Sequence, residues 1–329
     1  MARLFSETQD AFIYTAPELH VPITDDILWL DLLDPTPEEE DYYEAQLDIE
    51  LPLREELRSI EPSSRLYKEN GAVYLAATVV HSAESEHPRA EGMAFILKGH
   101  LLITIRYSDP RSFTVFSDYL SAHYQDYKDG PAILCGLLEA VVERGAEVLE
   151  KVNIESDTIS RLIFSESAIE DYKRIHKTSR ENHNLILHKV AVCQDLTAKV
   201  RESLVSIGRL TRYTGLIERV QGRHLEEQLR SIDKDVISLT DQASYMSNNV
   251  SFLLNAALGM INAEQNSIIK FFSVVAVVFL PPTLIASIYG MNFTHMPELH
   301  THFGYPIALF LMFLSAVGPY IYFKVKRWL

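Results

Sequence analysis

The 329 residues leave room for roughly two domains of about 100 to 200 residues each, and the net charge of −15 sits at one end: residues 1–130 hold 25 Asp and Glu against 10 Lys and Arg, while residues 131–329 hold 20 against 20. So acidic a first domain excludes nucleic acid and an anionic lipid surface as its partners; it fits a solvated surface or one that gathers cations. With only Cys135 and Cys193, each in a helical stretch, the chain has no disulfide framework and suits a reducing compartment.

In chain order, residues 1–130 read as mixed α/β. Short β-rich runs occur at Ala11–Ala16, Ile27–Leu33, Ala72–His81, Met93–Lys98 and Leu101–Tyr107, and Asn70-Gly71 is a favoured hairpin turn. Thr36-Pro37-Glu38-Glu39-Glu40 predicts a helix start, with a capping hydroxyl, Pro at the first helical position and acids at the positive end of the dipole. No glycine-rich phosphate loop, nucleophile elbow or zinc-spaced Cys or His pair appears in this domain. The pattern then changes to long, charge-laced helices at Leu134–Phe164 and Ile169–Leu210. His176, His183 and His188 on the second are seven and five residues apart, which is not the i, i+4 spacing of a zinc site.

From Arg223 the chain predicts one helix to Tyr289, 67 residues or roughly 100 Å at ~1.5 Å per residue. Leu225, Leu229, Ile232, Val236, Leu239, Ala243, Met246, Val250, Leu253, Ala257 and Met260 advance along it by alternating fours and threes, a heptad seam that suits self-association about an axis or packing on the chain's own helices. Between Ile268 and Tyr289 the only charge is Lys270, and Tyr305 to Phe323 carries none, so both runs approach the ~20 apolar residues that cross a bilayer. Lys270 precedes the first run, Lys324, Lys326 and Arg327 follow the second, and residues 290–304 between them lack Lys and Arg. The positive-inside rule then places both termini in the cytosol. Arg3, Glu7 and Asp10 interrupt any apolar core of a secretory signal, so the first 260 or so residues are expected to stay cytosolic.

The segment joining the spans carries Tyr289-Gly290-Met291-Asn292, then Met296-Pro297-Glu298-Leu299, then Phe303-Gly304-Tyr305-Pro306, and the chain closes on Lys324-Val325-Lys326-Arg327-Trp328-Leu329. This ordered set between two C-terminal spans resembles the CorA family of divalent-cation channels; the close match covers roughly residues 250–329, and upstream the likeness is one of architecture. The resemblance implies an α/β cytosolic domain, an all-α stalk and two C-terminal transmembrane helices, assembled as a funnel-shaped homopentamer in a bacterial inner membrane. On this reading residues 1–130 are the acidic α/β domain, 131–265 the stalk, 266–289 the pore helix, 290–304 an external loop, 305–323 the second transmembrane helix and 324–329 a basic tail. It implies Mg²⁺ influx, with Co²⁺ or Ni²⁺ as surrogates, and gating by intracellular Mg²⁺ bound between subunits. Asp233, Asp235 and Asp241 lie beside the seam and are the candidate regulatory ligands.

The residues make the same segment intelligible physically. A charge at the bilayer centre costs at least ~2.5 to 3.5 kcal/mol, so a conducting face there is neutral. Asn266, Ile269, Ser273, Ala276, Leu280, Thr283 and Ser287 advance by threes and fours along one stripe, polar at intervals and apolar between, which suits a pore with a hydrophobic gate. The same stripe fits a lipid-facing helix whose hydroxyls bond their own backbone. Mg²⁺ gives up its waters reluctantly, and the Asn292 amide oxygen is a neutral acceptor for the hydrogens of those waters. The resemblance makes Asn292 the outer selectivity element; Gly290 is expected to let the chain turn sharply, and Met291 to pack. Pro281-Pro282 frees the carbonyls near Val277 and Val278 and predicts a kink, or carbonyls that face the pore.

His295, His300 and His302 surround Met296-Pro297-Glu298-Leu299 in the loop, a departure from the basic or aromatic residues that family members often carry after that segment. As spectators they do nothing; protonated below their ordinary pKa of ~6.5 they would repel Mg²⁺, and neutral they could hold Zn²⁺ or Ni²⁺. Two other readings stand beside the channel. A zinc carrier of the ZntB branch shares the architecture but departs from the Met-Pro-Glu-Leu segment. A membrane-anchored sensor or enzyme has no nucleophile, acid/base pair or organic-cofactor motif here to support it.

Overall fold

The computed structural model describes residues 2–6, 11–14, 22–57, 66–85, 87–164, 179–217, 223–291, 296 and 303–326. The chain divides into two units, Met1–Leu254 and Asn255–Leu329. Strands β1 (Ala2–Ser6), β2 (Ala11–Tyr14), β3 (Ile27–Leu33), β4 (Leu66–Glu69), β5 (Ala72–His81), β6 (Arg89–Lys98) and β7 (Leu101–Arg106) form one sheet in the order β2-β1-β3-β7-β6-β5-β4. Only β3 and β7 pair in parallel; every other neighbour is antiparallel.

Asn70 and Gly71 both take positive φ, 46° and 75°, the type I′ geometry whose twist matches the strands it joins, so Glu69 pairs with Ala72. At α1 (Pro37–Leu47) the Thr36 hydroxyl accepts from the Glu39 amide while the Glu39 carboxylate accepts from the Thr36 amide, a capping box that holds two otherwise unpaired donors. This box explains why Glu39 is buried, at 2% exposure, in so acidic a helix start.

The sheet is covered on both faces. Leu30, Leu32, Leu4, Ile103 and Ile105 point into a core that Tyr43 of α1 and Leu57 of α2 (Arg54–Leu57) close. On the opposite face Trp29 tilts against Phe113 and Phe116 of α3 (Arg111–Ala122), with ring centroids 6.4 and 5.8 Å apart, and α4 (Gly130–Phe164) and α5 (Ser179–Thr214) pack behind them. β3 is therefore buried on both sides, which is why it reads as a nearly continuous apolar run. Its one charge, Asp31, is met by Arg106 of β7 through two bonds of 2.9 and 2.8 Å, with a third from the Thr104 hydroxyl at 2.8 Å. Arg106 is fully buried, also bonds Asp109, and lies 4.7 Å from the Phe113 ring. Burial would lower the Arg106 pKa, and the Asp31 and Asp109 carboxylates together more than offset it, so the guanidinium is held above its ordinary value. The pair ties the parallel neighbours β3 and β7 together.

Within the first unit, α6 (Arg223–Tyr289) lays its seam on the chain's own helices. Leu229, Ile232, Val236, Ala243, Met246, Val250 and Leu253 are all buried without a second copy. Gly208 of α5 faces Val236 so closely that a Cβ there would come 2.9 Å from its Cγ1, and Gln194 donates to Ser247 at 3.0 Å. Of the two roles the seam suits, packing on the chain's own helices is the one these contacts perform. Ile237, Tyr245 and Phe252 are half or more exposed outside the seam.

The second unit holds the C-terminal part of α6 and α7 (Gly304–Val325), both long and apolar enough to cross a membrane. Val274 and Ala308 are buried, whereas Phe271, Phe272, Phe279, Leu280, Phe310 and Phe313 are 59% to 66% exposed. So many large apolar side chains left uncovered call for hydrocarbon or a partner chain as their surroundings. The helix runs on through Pro281-Pro282 to Tyr289.

Candidate ion path on the long helix

The stripe of neutral side chains expected to conduct is uncovered from end to end: Asn266, Ile269, Ser273, Ala276, Leu280, Thr283 and Ser287 are all exposed. Its register is a strict heptad, with Asn266, Ser273, Leu280 and Ser287 seven apart and Ile269, Ala276 and Thr283 seven apart between them. The stripe spans about 30 Å at ~1.5 Å per residue, the thickness of a hydrocarbon core. Ile269 and Leu280, at 61% and 66% exposure, are its bulky apolar members.

Two of the hydroxyls on the stripe are oriented by the helix itself. Thr283 donates to the Phe279 carbonyl and Ser287 to the Thr283 carbonyl, each at 2.8 Å. Backbone bonding of this kind fits a helix in lipid, yet it also leaves the oxygen lone pairs facing outward. A hydrated dication presents water hydrogens, and those lone pairs are acceptors for them.

At the end of the helix Gly290 donates to Ala286 O at 2.9 Å and Met291 to Ile288 O at 3.2 Å, so the helical bonding extends two residues past Tyr289 and tightens at the second. Gly290 is not among the residues with positive φ. Its missing side chain matters for clearance: a Cβ would sit 3.1 Å from the Ala286 carbonyl oxygen. Met291, expected to pack, is 44% exposed in the single chain. Asn292, His295, Glu298, His300 and His302 lie outside the described residues.

The three regulatory candidates are not brought together. Asp233 turns toward α5, where Arg212 approaches at 3.7 Å; Asp235 and Asp241 are exposed. Helical geometry separates Asp233 from Asp235 by about 200° around the axis. Among the described residues no three His, Cys, Asp or Glu side chains are grouped closely enough to hold a metal ion. Sequence reading passed over Glu139 and Glu143, which line an open cleft of about 850 Å³ with Asp126, Asp129 and His224. Burial, then Glu143 and Asp235, push the Glu139 carboxyl above the usual range, which places Asp235 in the field of this pair. Their i, i+4 spacing on α4 was the available signal.

A model of the CorA-like Mg²⁺ transporter family matches residues 24–327. The magnesium transport protein CorA of Salmonella typhimurium is 35% identical over 306 residues, 92% of each chain. This chain belongs to the CorA family. Solved CorA-like structures carry the same fold: the complete CorA magnesium transporter of Methanocaldococcus jannaschii superposes with a TM-score of 0.72 at 16% identity, covering 100% of this chain and 99% of that one. The ZntB cytoplasmic domain of Vibrio parahaemolyticus superposes with a TM-score of 0.56 at 11% identity over 80% of this chain and 98% of that domain. The CorA architecture thus comprises here the α/β sheet domain, the long-helix stalk and two apolar C-terminal helices, and it places the neutral stripe on the first of those two helices.

Proposed function

We propose that this chain carries Mg²⁺ into the cell as a passive channel, a homopentamer whose α6 stripes face a common axis in the inner membrane with both termini cytosolic. The observation that carries the proposal is the heptad stripe left fully exposed on a protomer whose other seam is already buried. A heptad sustained over 21 residues and unpartnered within the chain is a surface for copies of itself. Around an axis its oxygens accept from the waters of a hydrated ion, Leu280 makes a dry constriction, and Asn292 sits at the outer mouth. Membership of the family and the 35% identity to a magnesium transport protein support Mg²⁺ as the cargo. Co²⁺ and Ni²⁺ follow as surrogates of similar hydrated form, and intracellular Mg²⁺ closes the channel.

Proteoliposomes containing the purified oligomer and ion-sensitive dyes test this. Mg²⁺, Co²⁺ and Ni²⁺ are expected to enter, with preloaded internal Mg²⁺ slowing entry. Asn292→Ala is expected to abolish uptake while leaving assembly intact, because it removes a ring of acceptors and no core packing. Wild-type flux in a well-folded Asn292→Ala oligomer would remove that residue from selection. Uptake of Zn²⁺ without Mg²⁺ would favour the ZntB-like reading, for which the structural likeness supports the fold alone.

A further inference from the structure

The two helices of the second unit carry one pattern read in opposite directions. On α6, Lys270 is followed by Phe271 and Phe272, and Tyr289 comes 19 residues after the lysine; on α7, Tyr305 opens the span and Tyr322, Phe323 and Lys324 close it, Lys324 again 19 residues from its tyrosine. At ~1.5 Å per residue each Tyr-to-Lys interval is about 28 Å, close to the ~30 Å of a hydrocarbon core. A lysine therefore reaches headgroup depth on one side when its tyrosine lies at the other interface.

The aromatic pairs beside the lysines are built alike. Phe271 and Phe272 meet edge to face at 5.7 Å and 74°, and Tyr322 and Phe323 at 5.7 Å and 72°. Lys270, Lys324 and Lys326 are exposed, as are Phe271, Phe272 and Tyr322. Counter-charge within this stretch is scarce: from Gln265 to the last residue the only acid is Glu298, set against Lys270, Lys324, Lys326 and Arg327. The balance is opposite to that of residues 1–130, which an anionic surface would repel.

We propose that the lysine ends of α6 and α7 form a binding belt for phospholipids with anionic headgroups, the lysines meeting the phosphates and the aromatic pairs seated at the glycerol and ester level. The proposal rests on the reading that both helices cross the bilayer with these ends at the cytosolic surface. Aromatic pairs beside the lysines, with Phe271, Phe272 and Tyr322 exposed and Phe323 half-buried, fit an amphipathic ligand, since free phosphate offers nothing for them to cover. Attraction of this kind amounts to roughly a fivefold preference per Lys and fades within a Debye length of about 8 Å at physiological salt.

The test is native mass spectrometry of the full-length oligomer released from nanodiscs holding equal phosphatidylcholine and phosphatidylglycerol. Wild-type protein is expected to retain phosphatidylglycerol well above the bulk ratio. Lys270→Gln, Lys324→Gln and Lys326→Gln together are expected to bring retention close to that ratio, and the matching triple Arg variant to preserve it. Equal retention by wild type and the Gln variant overturns the proposal, and so does displacement of the lipid by 10 mM inorganic phosphate. An unchanged melting temperature and oligomer mass in phosphatidylcholine alone exclude misfolding as the cause of a loss. Mg²⁺ uptake is measured separately in phosphatidylcholine vesicles, so failure of transport and failure of lipid retention are read independently.

Discussion

Replacing Arg106 by Met would leave the Asp31 carboxylate, 2% exposed, with only the Thr104 hydroxyl among the partners described above. Breaking a buried pair in this way typically costs about 3 to 5 kcal/mol, because the remaining charge is neither solvated nor matched. For a unit of this size each kcal/mol moves the midpoint by roughly 2 to 4 °C, so a fall near 10 °C is expected. Asp31→Leu is expected to be the milder single change, since Arg106 keeps Asp109 at 2.5 Å, a carboxylate 48% exposed to water. Together, Arg106→Met and Asp31→Leu remove both charges and keep an apolar volume between β3 and β7. The double variant is expected within about 1 to 2 kcal/mol of wild type, a coupling of several kcal/mol in the double-mutant cycle. Thermal unfolding of the detergent-solubilised protein measures this, and Trp29, whose Nε1 donates to Thr104 at 2.9 Å, is a fluorescent reporter inside the network. Additive losses in the double variant, or single variants that cost less than about 1 kcal/mol, would refute the account of the pair as a coupled tie between the parallel strands.

Leu280→Ser is expected to raise basal Mg²⁺ conductance several-fold by wetting the constriction, and to leave the fold intact because the side chain is 66% exposed in the protomer; unchanged conductance at low and high internal Mg²⁺ would move the gate to Ile269. Glu139→Gln is expected to stabilise the protein at pH 7. The folded-state pKa of Glu139 lies above its unfolded value, so its contribution is most favourable below pH ~4.5 and is lost as pH rises through the raised folded value. The Gln variant should therefore gain on wild type with rising pH in melting experiments, and a constant difference from pH 4 to 7 would count against a raised Glu139.

What the sequence disclosed followed the strength of the local signal. The capped helix start at Thr36, the Asn70-Gly71 hairpin, the runs Ile27–Leu33 and Ala72–His81 and the helix Arg223–Tyr289 all appear as expected, because each is set by neighbours in the chain. β1 was missed as five residues at the chain start, and β4 as a half-exposed edge strand of four. α3 was missed because Phe113, Thr114, Val115 and Phe116 are aromatic or β-branched, and Pro110 at its cap offers no side-chain bond. Met93 was read as the start of β6 because the four residues before it are polar or small, yet Arg89 to Gly92 pair with β5. The heptad seam told which face is buried and not what covers it, so α5 was invisible as its partner. For the site, the stripe was legible because period alone defines it. Asp233, Asp235 and Asp241 looked grouped only because they are near in sequence, whereas the acids that do share a field, Glu139 and Asp235, come from helices nearly a hundred residues apart.

The backbone bonds of Thr283 and Ser287 have a consequence for ions of the other sign. Chloride or phosphate in a narrow passage needs hydrogens pointing at it, and a wall whose hydroxyl hydrogens are already held by its own carbonyls has none to offer at those two rings. In the assembled channel that wall would be lopsided without being charged, hospitable to the hydrogen side of water and closed to its opposite. Within the span, valence selection would then rest on the direction in which two hydroxyls point, with no carboxylate on the stripe.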